Sequence, residues 1–122
     1  MVDRLIKSGA GWRVGWDPAA EQFKGLVGAD DWAFELTEAE FNDFCRLFNQ
    51  LVETIAHMQT ALMDEEAIAI EVESDRLWLE AEGYPHAYVL HLILLTGRRG
   101  EGSWQTDAIP QLWQALQSIQ VF

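Results

Sequence analysis

Cysteine, positive charge and long apolar runs are all scarce in this chain of 122 residues. Cys45 stands alone, so no intrachain disulfide forms, an arrangement in keeping with a reducing compartment. Lysine and arginine number 8 against 20 aspartates and glutamates, a formal net charge of -12. A field of that sign repels phosphate backbones and anionic lipid, and draws in cations and basic partners. The longest apolar run, AYVLHLILL from Ala87 to Leu95, is less than half of the roughly 20 residues a membrane-spanning helix needs, and His91 interrupts it. The opening MVDRLIKSGAGW has neither the apolar segment and small-residue cleavage site of a signal peptide nor the Arg and Ser richness of a transit peptide. No Gly/Ser/Pro-rich tract interrupts a composition that is 49% hydrophobic, which excludes a disordered chain. These absences describe a soluble, cytoplasmic protein with no membrane partner, folding as one domain over residues 1–122 around one cooperative core.

Catalytic signatures are missing as well. There is no G-x-S-x-G, no H-E-x-x-H and no Cys–His arrangement. Gly9, Gly11 and Gly15 in SGAGWRVGWDP do not spell G-x-G-x-x-G, and neither a following helix nor a P-loop lysine is present to hold phosphate. They read as turn glycines between two strands. His86 and His91, five residues apart, fall on opposite faces of a strand and do not converge on a metal with His57. The acidic stripe of Glu71, Glu73, Glu80 and Glu82, preceded by Asp64, Glu65 and Glu66, lacks the spacing and turn glycine of a calcium loop and reads as a solvated sheet face. Cys45 lies on an apolar helix stripe, where a buried inert thiol is expected. The chain is therefore read as no enzyme, with no catalytic, cofactor-binding or metal-binding residue.

What is present is periodicity. Short strands are predicted over Arg4–Lys7, Trp12–Asp17, Phe23–Val27 and Trp32–Leu36. In the second, Trp12, Val14 and Trp16 share one side against Arg13, Gly15 and Asp17, and in the fourth Trp32, Phe34 and Leu36 oppose Ala33 and Glu35. The period then changes to three and four. Thr37 and Glu40 have capping-box spacing, and Phe41, Phe44, Cys45, Phe48, Leu51, Val52, Ile55, Ala56 and Leu62 follow as one stripe of a long helix reaching Met63. Strands return from Ala67, Arg76, Ala87 and Gly102, with a tight turn at Ser74–Arg76. A second helix is predicted over Ala108–Gln120, with Asp107 as its N-cap and Pro110 in its first turn. The fold class is thus α+β: two strand-strand-strand-strand-helix units, about residues 1–63 and 64–122, forming antiparallel sheets with one long and one shorter helix. The two units repeat in architecture rather than in motif.

The segments GWRVGWDP, DWAFELTEAEF, LWLEAEGYP and GSWQTDAIPQLWQAL resemble a family of uncharacterised proteins from cyanobacteria and plastid-bearing plants, over essentially the whole chain. The resemblance implies a fold similar to that of the Whirly and positive-cofactor-four single-stranded-DNA binders. It transfers no binding residue. Where Whirly proteins carry a Lys-Gly-Lys-rich strand, this chain has FKGLVGADD, with Lys24 followed by Asp30 and Asp31.

Six tryptophans in so small a chain suggest aromatic anchors for a partner. The expected function is that of a non-enzymatic interaction module for a protein partner. Its expected surface is Trp12, Arg13 and Trp16 together with Arg98 and Arg99 of the loop TGRRGEG. Single-stranded nucleic-acid binding is the alternative that the fold resemblance proposes and the charge of -12 opposes. Either a monomer or a homodimer accommodates both readings.

Overall fold

The computed structural model describes residues 4–59, 66–97 and 99–119. Four strands run as an antiparallel meander in the order β1-β2-β3-β4: β1 (Leu5–Gly9), β2 (Trp12–Trp16), β3 (Gly25–Gly28) and β4 (Ala33–Leu36). The long helix α1 (Glu38–Gln59) follows. A second meander, β5-β6-β7-β8, comprises β5 (Ile68–Glu73), β6 (Leu77–Tyr84), β7 (Ala87–Leu94) and β8 (Glu101–Trp104). A single 3-10 turn, Thr106–Ala108, then leads into α2 (Ile109–Ile119). The α+β class and the two antiparallel sheets with one long and one shorter helix are as expected; residues 60–63 of the predicted long helix lie outside the described residues.

Two boundaries shift for physical reasons. Residues 17–24 form a closed turn in place of the start of a strand at Phe23. The Asp17 N–H donates to Lys24 O at 2.7 Å, and Lys24 Nζ donates to the carbonyls of Pro18 and Ala20 at 2.9 and 2.8 Å. The second correction concerns Asp107, which caps no helix. It sits within the 3-10 turn, whose N-terminal flank is Gln105 with no side-chain cap. Pro110 does lie in the first turn of α2, where its missing N–H costs nothing.

The capping box at the start of α1 is formed. The Thr37 N–H donates to Glu40 Oε1 at 2.9 Å and the Glu40 N–H to Thr37 Oγ1 at 3.2 Å. That reciprocity accounts for a carboxylate only 3% exposed. Beyond it Phe41, Phe44, Cys45, Phe48, Leu51 and Ile55 line the buried side of the helix.

Each helix crosses to the sheet built by the other half of the chain. α1 packs on β5 and β6 while also touching β3 and β4, and α2 packs on β1 and β2. One contiguous core results, running from Trp12 to Ile119. Indoles stitch it together. Fully buried Trp104 donates from Nε1 to Gly28 O at 2.8 Å, and Trp32 Nε1 donates to Ser103 O at 3.2 Å, so each bond joins the two sheets. The two rings meet at 4.9 Å between centroids. Gly102 and Gly100 in and beside β8 leave room for the rings of Trp32 and Phe34, where a Cβ would collide. The helices are joined by Asn49, whose Oδ1 accepts from Trp113 Nε1 at 2.8 Å and from Gln117 Nε2 at 2.9 Å.

Candidate functional site

The surface expected around SGAGWRVGWDP does not assemble. Trp12 and Trp16 do share one side of β2 with Val14, but that side is the core, and they are only 8% and 6% exposed. Trp12 Nε1 donates to Gln111 Oε1 of α2 at 3.0 Å, and Trp16 lies 5.2 Å from the Phe41 ring of α1. Both indoles are therefore anchors for the helices rather than platforms for a ligand. Arg13 points the opposite way and is exposed. Arg99 sits in the β7–β8 loop with φ 47, and Arg98 lies outside the described residues. The glycines read as predicted. Ala10 and Gly11 form the tip of a hairpin that pairs Gly9 with Trp12, and Gly11 takes φ 83, a value that disfavours a side chain.

An open and acidic face lies elsewhere, on the outward side of β5–β8. Alternation sends Ile68, Leu77, Leu79, Ala81, Leu90, Leu92 and Leu94 into the core. The intervening residues form rows across the strands. One row is Ala69, Glu82 and Val89; the next is Glu71, Glu80, His91 and Ser103; the third is Glu73, Trp78, Ile93 and Glu101. None of these outward positions is Lys or Arg. The side chains of Glu71, Glu73, Glu80 and Glu82 make no hydrogen bond or ion pair among the described residues. Glu71 stands directly opposite Glu80. Like charges placed so destabilise a sheet.

Along β7 the outward residues Val89, His91 and Ile93 lead to Leu95, which is 45% exposed. Trp78 meets the edge of His91 at 6.0 Å, with both side chains half-buried. His91 Nδ1 lies 2.5 Å from Ser103 Oγ, and its Nε2 lies 3.9 Å from Glu101 Oε2. Two shallow hollows flank this stripe. One, of about 510 Å³, is lined by Glu80, Glu82, Gly83, Val89, His91 and Ser103. The other, of about 340 Å³, includes Ile93, Leu95, Arg99 and Glu101. An apolar stripe thus runs along a central strand with carboxylates on both sides.

The histidines lie apart, with His91 within β7 and His86 immediately before it. His86 occupies the two-residue turn between β6 and β7, stacked on Tyr84 at 6.1 Å. His57 is exposed on α1. Among the described residues no group of His, Cys, Asp and Glu is placed to share a metal ion. Burial pushes the thiol of Cys45 up to about 12, which leaves it protonated and unreactive at neutral pH.

Sequence reasoning missed two features. Trp78 follows from the same alternation that turns Leu77 and Leu79 inward, since it places the ring among the glutamates. Asp43 is a hub that no local pattern announces. Its Oδ2 accepts from Ser74 Oγ at 2.7 Å and from Arg76 at 3.2 Å, while Arg46 approaches Oδ1 at 3.5 Å. Burial alone would raise this carboxyl; the hydrogen bonds from Ser74 and Arg76 and the charges of Arg76 and Arg46 outweigh it and hold the group below the usual carboxylate range. The hub ties α1 to the β5–β6 turn.

Comparison with known proteins locates the fold without an activity. The family model described as a domain of unknown function (DUF1818) matches residues 7–119. A crystal structure of a protein of unknown function from Prochlorococcus sp. NATL2A, described as a member of the DUF155 family, superposes with a TM-score of 0.90. The two chains are 26% identical, over 95% of this chain and 98% of that one. No curated protein matches.

Proposed function

Because the chain belongs to the DUF1818 family, a domain of unknown function, we propose its role from the site alone: a non-enzymatic interaction module whose outward β5–β8 face docks a protein partner. The observation that carries this reading is a set of four glutamates without side-chain partners among the described residues, beside the partly exposed stripe of Trp78, Val89, Ile93 and Leu95. Interfaces are recognised by an apolar centre with a polar rim, and an aromatic side chain is the commonest anchor. The surface is thus moved from Trp12 and Trp16, which stabilise the core, to Trp78 on the other sheet. Arg99 borders the apolar end of this face; Arg13 does not.

The single-stranded nucleic-acid reading rests on the Whirly-like resemblance, and electrostatics oppose it. Such binders pair a cationic groove with aromatic platforms. Here the half-exposed indole is flanked by Glu73 and Glu80, and the net charge is -12. A cytoplasmic, soluble setting suits the protein-partner reading.

A Trp78→Ser/Ile93→Ser double variant tests the proposal. It is expected to keep its helical and sheet signals, because both side chains lie outside the core, and to lose proteins that co-purify with the tagged wild-type chain from its native extract. Recovery of the same proteins in the same yield by the folded variant would contradict the docking face.

A further inference from the structure

We infer that the segment docked on the β5–β8 face is a cationic protein segment in extended form, with Lys or Arg at alternate positions and apolar side chains toward one end. This rests on the docking face proposed above. Successive outward residues of one strand lie roughly 6.5–7 Å apart and cross-strand neighbours about 5 Å apart. Glu80 and Glu82 on β6, and Glu71 and Glu73 on β5, therefore present carboxylates at the repeat of alternate side chains in an extended chain. A partner with cations at positions i and i+2 matches that repeat.

Charge fixes the sign of the partner. Glu71 and Glu80 face each other with no counter-charge among the described residues, so a cation set between them turns a repulsion into two attractions. Glu73 and Glu80 also flank the half-exposed Trp78, whose ring is a seat for a guanidinium. The face is graded as well. One end carries Glu71, Glu80 and Glu82; the Ile93 row still holds Glu73 and Glu101, and beyond it Leu95 lies beside Arg76 and Arg99. Arg76 is held by Asp43 and adds no free cation to the acidic rows. The partner's cations consequently lie over the glutamates and its apolar side chains over Ile93 and Leu95.

The same grading argues against other occupants. A second copy laid face to face would set glutamates on glutamates, and a phosphate backbone would meet the same repulsion.

The test is amide and indole chemical-shift mapping of the intact chain with three synthetic octapeptides. One alternates Arg with Val, one has Glu for each Arg, and one has Ser for each Arg. The Arg peptide is expected to shift the Trp78 indole and the outward amides of β5–β8, with affinity falling about tenfold between 0.05 and 0.5 M salt. Glu71→Gln/Glu80→Gln is expected to weaken it about tenfold, whereas Glu21→Gln/Glu53→Gln, an equal change of charge on exposed sites elsewhere, leaves it unchanged. Equal weakening by both double variants, or shifts spread over α1 and the first sheet, overturns the inference as a bulk-charge effect. If the Glu or Ser peptide moves the β5–β8 amides and the Arg peptide does not, the inference falls while the docking face stands. If no peptide moves them and Trp78→Ser/Ile93→Ser recovers the same proteins as wild type, both fall.

Discussion

The two sheets share one plan on their inner sides and differ on their outer sides. Inward, each supplies a large apolar surface to the same core: Trp12, Val14, Trp16, Val27 and Leu36 from β1–β4, and Leu77, Leu79, Leu90, Leu92 and Trp104 from β5–β8. Outward, β1–β4 carries rows of small and mixed residues, Ser8–Arg13–Gly28–Ala33 and Ile6–Gly15–Leu26–Glu35. A hollow of about 230 Å³ there includes Ile6, Gly15, Phe23 and Leu26. The outward rows of β5–β8 gather carboxylates around an apolar stripe. Packing dictates the inner faces because every methylene there is felt. It leaves the outer faces free, and it is there that the two halves have taken different chemistry.

The most drastic way to break the comparison is to part the halves. Residues 1–63 and 64–122 produced as separate chains are each expected to show disordered amide spectra, since α1 lies on the second sheet and α2 on the first, and mixing them should restore dispersion. Native-like spectra from either fragment alone would show that the helix exchange is dispensable.

Inner and outer tryptophans should then diverge by several kcal/mol. Trp104→Ala removes a fully buried ring and its bond to Gly28 O, and is expected to cost about 3–5 kcal/mol in urea unfolding. Trp78→Ala, on the open face, should cost less than about 1 kcal/mol. Similar losses at both sites would mean that the β5–β8 face is structural.

Asp43 comes next. Asp43→Ala leaves Ser74 and Arg76 without their acceptor and should cost about 1–3 kcal/mol. The folded-state value of this carboxyl is depressed, so its stabilisation is present above the unfolded value of about 4 and disappears as pH falls through the folded value. Asp43→Asn should accordingly flatten the acid limb of the stability profile below about pH 4. An unchanged acid limb would remove the hub from the account.

The smallest effect concerns like charges. Glu80→Gln relieves the repulsion from Glu71 and is expected to stabilise by a few tenths of a kcal/mol at low salt and by nothing at high salt. Arg13→Gln, on the outer face of the other sheet, should stay within about 0.5 kcal/mol at either salt. A loss of stability in Glu80→Gln would mean that the carboxylate supports the fold.

Much of this architecture is legible in the residues because it is local. Period-two alternation marks β2, β5 and β6, and the Thr37–Glu40 box sets the start of α1 without any knowledge of its neighbours. What stays hidden is decided at long range. Alternation joins Trp12 to Trp16, but only the arrival of α2 and α1 makes their side the inside. Lys24 looks like a strand residue until its ammonium closes the 17–24 turn, and Asp107 looks like a cap until the Thr106–Ala108 turn takes it up ahead of α2. For the candidate site, the outward glutamates are readable from alternation, whereas the packing of α1 and α2 on the inner sides of the sheets is a property of the packed molecule.

The central claim is that the outer face of β5–β8, and not that of β1–β4, meets a partner. A photo-crosslinking amino acid at Ile93 or at Leu26, one on each outward face, tests it in the cells that make the protein. A discrete protein adduct is expected from position 93 and none from position 26; adducts from position 26 alone, or equal adducts from both, would rule out β5–β8 as the docking face.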